Sequence, residues 1–233
     1  MCIRDSIITS VKGDVTYDGI PDTVSLIGVQ FGDSNAWQQM SLVIQNGATG
    51  QITAIALPED AAYAPSIALV SLTGKDKRDI LLSLPTGGSG GITNYIIYTC
   101  DDRAFRQIFS SDDYNAAYPY QIQYLDGYAV KAASLQNRQE YFIDLTGKGS
   151  AYLTQLYNAD GSLREPMEGF VNPLSGLYPI DFDGDGQFSL MAWQRIAGLY
   201  NADSLGYFLN TLDWRDGAFV LTDQMVGILG SES

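Results

Sequence analysis

The chain has 233 residues, a length typical of one all-β domain, and it carries a formal net charge of −14. A surface this acidic repels phosphate backbones and anionic lipids, which argues against nucleic acids and membrane surfaces as partners. The chain contains no His, and this excludes His general bases, Ser-His-Asp triads and nearly all zinc sites.

The first ten residues do not have the composition expected at the start of a domain. They begin Met-Cys-Ile-Arg-Asp-Ser and lack the apolar core of a secretory signal. We expect residues 1–10 to be non-native or disordered and residues 11–233 to form a single domain, whose own N-terminus and signal peptide are missing. No run of 18 apolar residues occurs, so we expect no membrane insertion.

Short apolar segments rich in Val, Ile and Tyr recur along the first hundred residues and predict β-strands. They are Val24–Ile27, Ser41–Ile44, Ile52–Leu57, Ile67–Leu72, Ile80–Leu84 and Tyr95–Cys100. Gln45-Asn46-Gly47 and Asp126-Gly127 predict hairpin turns. Two short segments, Ala151–Tyr157 and Trp193–Tyr200, have helical character. Many short strands joined by turns are typical of a sandwich, a barrel or a propeller.

An acidic or Gly-containing turn between two strands recurs, and its copies begin at residues 14, 71 and 181. With the turn Leu125-Asp126-Gly127 placed between the last two, the repeat length is about 55 residues. Units of this length can each supply the strands of one blade, so the sequence predicts a β-propeller-like domain of about four blades. A β-sandwich is the alternative fold, and a second, less regular register places the third repeat at residues 144–148.

The densest acidic motif has Asp181, Asp183 and Asp185 at alternating positions, followed by Gly186. In a tight loop such side chains point to a common centre, where a hard cation such as Ca²⁺ prefers their oxygens. Without a cation the three carboxylates would repel one another. The twelfth position holds Ala192 where an EF-hand requires a bidentate Glu, and the flanking segments are strand-like, so we exclude an EF-hand.

The segment 14–22 shows a related nine-residue pattern, with Asp or Thr at positions one, three, five and nine. This pattern, D-x-[DT]-x-D-G-x-x-D, resembles the FG-GAP/VCBS repeat of integrin-α-like β-propellers. The segments 87–91, 172–179 and 194–198 also look like bacterial VCBS-repeat proteins of Bacillus-type organisms. The resemblance covers most of residues 11–230 and implies calcium-binding loops between the first two strands of a blade.

The resemblance implies two sets of calcium ligands. In the first loop they are Asp14, Asp18, Asp22, the Ile20 carbonyl and Thr16, which contributes its hydroxyl or only shapes the turn. In the last loop they are Asp181, Asp183, Asp185 and the Gln187 carbonyl, and Ser189 replaces the closing Asp. In the loop 71–79, Ser71 replaces the first Asp and Lys75 occupies position five, so we expect no metal there. The alternative for every loop is an Asp/Gly turn whose side chains cap backbone N–H groups.

Other polar groups have simpler explanations. The pairs Asp101-Asp102 and Asp112-Asp113 are interpreted as solvated turn acids, and the Gly-rich segment 86–91 lacks the Lys of a phosphate-binding loop. Arg195, Asn201 and Asp203 are interpreted as part of an exposed loop.

These observations predict a non-catalytic scaffold or ligand-binding domain with structural calcium in its inter-strand loops. We expect it to act at the cell surface or outside the cell, where calcium is millimolar and weak loops fill. The expected partners are calcium ions and a protein or carbohydrate ligand. One alternative is a carboxylate-dependent glycosidase or lyase on a propeller scaffold, which needs two facing carboxyl groups about 5–9 Å apart. The other is a structural spore- or envelope-associated protein.

Overall fold

The strands of this protein are antiparallel in a computed structural model that describes residues 6–32, 34–58 and 61–230. Strand β2 (Asp22–Gln30) illustrates why they form. It buries every second residue from Asp22 to Gly28 and leaves those between half-buried, which is the two-residue period of a pleated strand. The prediction of an all-β fold is confirmed.

The first sheet has five strands within the described residues and carries the loop 14–22. In spatial order its main strands are β1 (Ser6–Gly13), β2, β3 (Ala36–Gln45) and β4 (Ile52–Ala56), and β5 (Ala61–Tyr63) pairs with the start of β3. The loop 14–22 joins β1 to β2. The connection 46–51 joins β3 to β4 and lies beside that loop.

The second sheet, in the described part of the chain, has four strands in sequence order. They are β6 (Ser66–Val70), β7 (Asp79–Pro85), β8 (Thr93–Asp101) and β9 (Ala104–Ser110). The loop 71–79 joins β6 to β7. Helix α1 (Ser111–Ala117) follows β9 and begins where the Ser110 hydroxyl accepts a hydrogen bond from the backbone N–H of Asp113.

The third sheet contains eight of the described strands and carries the loop 181–189 between its fifth and sixth strands in sequence. The strands are β10 (Tyr120–Leu125), β11 (Ala129–Ser134), β12 (Gln139–Asp144), β13 (Glu168–Val171), β14 (Gly176–Ile180), β15 (Ser189–Ala197), β16 (Ser204–Arg215) and β17 (Ala218–Gly227). Their spatial order is β12-β11-β10-β13-β15-β16-β17, and β14 also pairs with β15. A 3-10 turn (Thr146–Lys148) and helix α2 (Ser150–Leu156) lie between β12 and β13 in the chain.

The second sheet is buried on both faces, because the first and third sheets pack against it. On β7, Ile80 and Leu82 belong to one apolar cluster with Val24 and other residues of the first sheet. Leu81, which points to the opposite face, belongs to a second cluster with Leu190 of the third sheet. A third cluster lies between β10–β12, α2 and the strands β15 and β16. This burial explains the continuous apolar runs of β7 and β8.

The repeated strand–loop–strand unit is present, although the sheets are not four equal blades. The acidic loops join β1 to β2, β6 to β7 and β14 to β15, and the Asp126-Gly127 hairpin joins β10 to β11. However, β13 pairs with both β10 and β15, so the strands from β10 to β17 form one sheet. The face-to-face packing of the sheets is compatible with the sandwich alternative.

Most predicted elements are confirmed with one error, and α1 and several strands were not predicted. Four of the six predicted strand segments lie wholly within β2, β3, β7 and β8, and the other two extend one or two residues past β4 and β6. The helix predicted at 151–157 is α2. The helix predicted at 193–200 is wrong, because residues 189–197 form β15, in which Ala192, Gln194 and Ile196 are buried and the residues between them are half-buried. Helix α1 was not predicted, although Ser110 and Asp113 have the spacing of a helix cap.

The domain boundary expected at residue 10 falls within β1, which begins at Ser6. The first five residues of the expected non-native N-terminus lie outside the described residues. No described helix is long and apolar enough to cross a membrane.

Candidate metal centre

The loop 181–189 is held in shape by its own carboxylates. Asp181 Oδ1 accepts hydrogen bonds from the backbone N–H groups of Gly184 (2.9 Å) and Asp185 (3.2 Å), and its Oδ2 accepts one from the Gly186 N–H (3.1 Å). Gly184 and Gly186 have φ angles of 74° and 90°, which are strained for residues with a side chain. Asp185 Oδ1 accepts from the Gln187 N–H at 2.7 Å. The turn therefore brings the alternating acids to one side of the loop.

Three of the predicted calcium ligands converge at this loop. Asp181, Asp183 and Asp185 each offer a carboxylate oxygen, and the three oxygens lie within 4.8 Å of one another. Within the described ranges, this is the only such group of three or more acidic, Cys or His side chains. Asp183 and Asp185 are exposed and Asp181 is half-buried, so a cation can reach them from solvent. Their mutual repulsion would be offset by a hard divalent cation, which prefers oxygen ligands.

The far end of this loop is anchored to the loop 71–79. The Gln187 side-chain Nε2 donates to the Leu72 carbonyl (3.0 Å), and the Phe188 N–H donates to the Ser71 carbonyl (2.8 Å). Lys75 Nζ lies 3.7 Å from Asp185 Oδ2. Lys75 occupies position five of its own loop, where no metal was expected, and its ammonium reaches the acidic cluster of the neighbouring loop. Both partners are exposed, so their attraction is weak.

The first half of the loop 14–22 repeats the geometry of the loop 181–189. Asp14 Oδ1 accepts from the Asp18 N–H (3.2 Å) and Oδ2 accepts from the Gly19 N–H (2.8 Å). Asp18 Oδ1 accepts from the Ile20 N–H at 2.9 Å. These bonds have the same sequence spacing as those of Asp181 and Asp185. The two loops therefore share one turn, as their common sequence pattern predicts.

Asp22 closes the loop 14–22 through backbone hydrogen bonds. It is fully buried; its Oδ2 accepts from the N–H groups of Val15 and Thr16, and its Oδ1 accepts from the Gly47 N–H, each at 2.9 Å. The Thr16 hydroxyl also donates to Oδ1 at 3.3 Å. The described structure does not gather Asp14, Asp18 and Asp22 into one group of close carboxylates.

A neutral amide occupies the interior of the loop 14–22. Asn46 Nδ2 donates to both the Thr16 hydroxyl and Asp18 Oδ2, each at 2.9 Å. The hydrogen bond from Asn46, with help from the Ile20 N–H, lowers the pKa of Asp18 below its usual value. Asn46 thus stabilises the Asp18 carboxylate in the way that a bound cation would.

The loop 71–79 closes in the same way as the loop 14–22. Asp79 is fully buried, and its Oδ2 accepts from the N–H groups of Leu72 (3.0 Å) and Thr73 (2.8 Å), while the Thr73 hydroxyl donates to Oδ1 at 2.9 Å. Asp22 and Asp79 therefore have the same role at position nine. Capping of backbone N–H groups, which was the alternative for every loop, describes these two acids.

A groove of about 520 Å³ opens beside the acidic cluster and is lined by Phe182, Asp183, Asp185, Asp213 and Trp214, among others. Asp213 Oδ1 accepts from the Ser189 hydroxyl (2.8 Å) and Oδ2 pairs with Arg215 (2.7 Å). Burial opposes ionisation of Asp213, but the bonds from Ser189 and Arg215 outweigh it and lower its pKa. Asp213 therefore stays ionised near the loop 181–189.

One buried polar network was not found from the sequence. The Asp203 carboxylate pairs with Lys148 Nζ (2.8 Å) and accepts from the Tyr152 hydroxyl (2.7 Å) and the Leu199 N–H (2.9 Å). Tyr152 in turn shares a hydrogen bond with Tyr124 (2.7 Å), whose pKa burial raises to about 12. Lys148 and Asp203 are 55 residues apart, and no local sequence pattern links them. These bonds hold the turn after β15 against α2 and the 3-10 turn.

The other polar groups singled out in the sequence have local partners in the described structure. Asp101 pairs with Arg106 (2.8 Å), and Asp112 and Asp113 lie in the first turn of α1. Arg195 Nη1 donates to the Asn201 carbonyl (3.1 Å), while Asp203 is buried instead of exposed. In the Gly-rich segment, a Cβ on Gly90 would lie 3.6 Å from Asn172 Nδ2 and one on Gly91 would lie 3.7 Å from Arg195 Nη2. This segment packs beside β13 and β15.

Comparison with known proteins identifies the family. Residues 118–227 match the family described as the YybI C-terminal domain. YybI of Bacillus subtilis (strain 168) is 45% identical over 227 residues, which cover 97% of this chain and 87% of that protein. The chain therefore belongs to the YybI family. No solved structure matches the chain significantly.

The resemblance to FG-GAP/VCBS repeat proteins is wrong, because the matching family is YybI and no FG-GAP or VCBS family matches. The resemblance depended on the acidic pattern of the loops 14–22 and 181–189. The structure shows why that pattern is not diagnostic: Asp14, Asp22 and Asp181 all accept hydrogen bonds from nearby backbone N–H groups, and a tight turn requires such acceptors whether or not it binds a metal.

Proposed function

We propose that this protein is a non-catalytic scaffold or ligand-binding domain that acts at the cell surface or outside the cell, with a structural calcium ion at Asp181, Asp183 and Asp185. The observation that carries the proposal is the convergence of these three carboxylates within 4.8 Å. They are oxygen ligands on a solvent-accessible loop, which suits Ca²⁺ better than transition metals. Millimolar extracellular calcium would fill such a site even if it binds weakly.

The role of the ion would be to fix the groove beside the loop. Asp183 and Asp185 line that groove together with Phe182 and Trp214. A cation that neutralises the acids would hold the loop, and hence Phe182, in one position. The loop is also bonded to the loop 71–79 through Gln187, so the ion would stiffen the contact between the second and third sheets.

The calcium site predicted at residues 14–22 stays a prediction. The geometry of that loop supports calcium binding less than the geometry of the loop 181–189 does. The Asp22 oxygens are engaged by backbone N–H groups, and Asn46 bonds to Asp18 where a cation would lie. We also propose that the four strand–loop–strand units are propeller-like repeats. The turn shared by the loops 14–22 and 181–189 supports this, as does the closure shared by the loops 14–22 and 71–79. The eight-stranded third sheet is where the units depart from separate blades.

Thermal unfolding with and without calcium tests the proposal. We expect calcium at ten to a hundred times its Kd to stabilise the protein by about 1.4–2.7 kcal/mol, which raises Tm by about 3–8 °C for a chain of this size. Asp183→Asn should abolish most of this shift, because it removes one ligand charge without disturbing a backbone cap. Asp112→Asn, an exposed acid in α1, is the matched control and should retain the full shift. An identical Tm in calcium and in chelator would contradict the proposal.

A further inference from the structure

The turn after β3 contains the one Asn-Gly pair of the sequence, Asn46-Gly47. The fold requires Gly at this position, because a Cβ on Gly47 would clash with the Pro21 carbonyl oxygen. Asn followed by Gly is the dipeptide most prone to deamidation, since no side chain hinders the approach of the Gly nitrogen to the Asn side chain. Gly47 is exposed and Asn46 is half-buried, so the contact with Pro21 fixes a reactive dipeptide at the surface.

Deamidation at this pair needs no reagent other than water. The Gly47 nitrogen loses its proton and attacks Asn46 Cγ, so that a new C–N bond forms, the bond from Cγ to Nδ2 breaks and ammonia leaves. Water then opens the resulting five-membered succinimide to Asp or isoaspartate. Either product carries a carboxylate in place of the neutral amide, and the loss of ammonia makes the change irreversible.

The closed loop 14–22 engages both reacting groups in hydrogen bonds. The Gly47 N–H donates to Asp22 Oδ1 at 2.9 Å, and the carboxylate of this buried Asp opposes loss of the proton. Asn46 Oδ1 accepts from the N–H (2.7 Å) and the hydroxyl (2.8 Å) of Thr49. Rotation of the Asn46 amide towards the Gly47 nitrogen would break these bonds, so the attack requires local opening of the turn.

The position of the amide nitrogen decides what deamidation does to the loop. Because Asn46 Oδ1 accepts from the Thr49 N–H, the group that faces the loop 14–22 is Nδ2. It donates to the Thr16 hydroxyl and to Asp18 Oδ2, each at 2.9 Å. In the Asp product an oxygen replaces this nitrogen and faces the Asp18 carboxylate. A hydrogen bond thereby becomes a repulsion between like charges, which opposes closure of the loop.

We propose that Asn46 is a deamidation site controlled by the closure of the loop 14–22, and that its product keeps the loop from closing again. Local opening frees the dipeptide to react, and the new carboxylate then favours the open form. The reaction therefore converts a transient opening into a permanent one. The inference does not rest on the proposed calcium site, because it concerns the loop 14–22 and is tested in chelator.

Peptide mapping by mass spectrometry during incubation at mildly alkaline pH in chelator tests the control by closure. We expect Asn46 to deamidate at least about tenfold more slowly in the folded chain than in a synthetic peptide of residues 41–52. Asp18→Ala removes the charged acceptor of the Asn46 amide and should speed the reaction in the folded chain about tenfold. Asp185→Ala, at the equivalent position of the loop 181–189, is the matched control and should leave the rate unchanged.

Asn46→Asp reproduces one product and tests its effect on the loop. We expect its Tm in chelator to fall by about 3–6 °C, because a hydrogen bond to a charged group is replaced by repulsion. The double variant Asn46→Asp/Asp18→Asn exchanges the amide and the carboxylate, so it should recover most of this loss. Asn201→Asp adds the same charge in another exposed turn, and its Tm should change little.

The outcomes separate this inference from the calcium proposal. Deamidation of Asn46 at equal rates in the folded chain and in the peptide would overturn the inference, since closure would then give no protection. An unchanged rate in Asp18→Ala, or an Asn46→Asp variant as stable as the wild type, would also overturn it. A Tm that does not respond to calcium would contradict only the proposed calcium site.

Discussion

The loops 14–22 and 181–189 share one turn but differ in how that turn is closed. Asp14 and Asp181 each accept from the N–H groups four and five residues later. At position nine, Asp22 is buried and accepts from backbone N–H groups, whereas Ser189 donates its hydroxyl to Asp213 (2.8 Å). The two loops therefore differ in the residue at position nine and in the groups to which that residue is bonded.

This difference shows how one sequence pattern can serve two purposes. In the loop 14–22 the negative charges are compensated by N–H groups and by the Asn46 amide. In the loop 181–189 three carboxylates remain close together, and among the described residues only Lys75 forms an ion pair with them. In the loop 14–22 the protein's own groups compensate the negative charge. The loop 181–189 keeps negative charge that a bound cation can neutralise.

Asp22→Ala should have the largest effect, because it leaves three backbone N–H groups, including that of the buried Val15, without their acceptor. We expect a loss of about 3 kcal/mol in the free energy of unfolding, measured by urea denaturation. Asp79→Ala should cause a similar loss, since Asp79 makes equivalent bonds. Asp183→Ala in chelator is the control and should be neutral or slightly stabilising. If Asp22→Ala lowers the free energy of unfolding by less than about 1 kcal/mol, the backbone hydrogen bonds of Asp22 do not set the loop 14–22 apart from the loop 181–189.

Calcium should separate the effects of Asp14→Ala and Asp181→Ala. Each variant loses the backbone caps of its turn, which we expect to cost about 1 kcal/mol in chelator. In saturating calcium the cost of Asp181→Ala should rise by about 1–3 kcal/mol, because the ion is lost as well, while the cost of Asp14→Ala should stay the same. Unfolding in urea with calcium or chelator measures both. Equal calcium dependence of the two variants would argue for equivalent sites.

Lys75→Ala should strengthen calcium binding at the loop 181–189. The ammonium lies 3.7 Å from Asp185 Oδ2 and competes with the ion for the same charge. Both side chains are exposed to water, whose high dielectric constant weakens the interaction between Lys75 and Asp185. We therefore expect the Kd for calcium to fall by about two- to fivefold at low salt and by less at high salt. Lys12→Ala, at an exposed position on β1, is the control. A weaker affinity in Lys75→Ala would show that Lys75 supports the site.

Asn46→Ala should raise the pKa of Asp18 towards its usual value, because the Asn46 hydrogen bond is the main cause of its lowered pKa. A folded-state pKa below the unfolded value of about 3.9 means that Asp18 stabilises the fold above that pH, and the contribution is lost as the pH falls through the folded pKa. Carboxyl NMR titration of both proteins measures the change. An unchanged Asp18 pKa would show that Asn46 does not substitute for a cation.

Sequence periodicity predicted the all-β class and six of the described strands, all in the first hundred residues. Val24–Ile27 and Ile80–Leu84 were predictable as strands because burial on one or both faces leaves a distinct pattern of apolar residues. Trp193–Tyr200 was wrongly predicted as a helix. In so short a segment, the few apolar and polar residues fit both the helical and the strand period. The pairing of β13 with both β10 and β15 was not predictable, since two-residue contacts between distant strands leave no local signal.

The candidate sites also include some features that the sequence predicts and others that it does not. The convergence of Asp181, Asp183 and Asp185 follows from their alternate spacing and the glycines of the turn, so the sequence contained it. The role of Asp22 as a backbone cap was open in the sequence, because the same Asp can cap or coordinate. Asn172, which follows β13, and Gln194, on β15, come together only in the folded chain, so the sequence did not predict that both would be buried.

Calcium stoichiometry by titration calorimetry tests most directly the claim that the two loops differ. We expect one calcium ion per wild-type chain, none in the Asp181→Asn/Asp183→Asn double variant, and one in the Asp14→Asn/Asp18→Asn double variant. Binding of no calcium by the wild type, or of two ions with one lost in each double variant, would contradict the account.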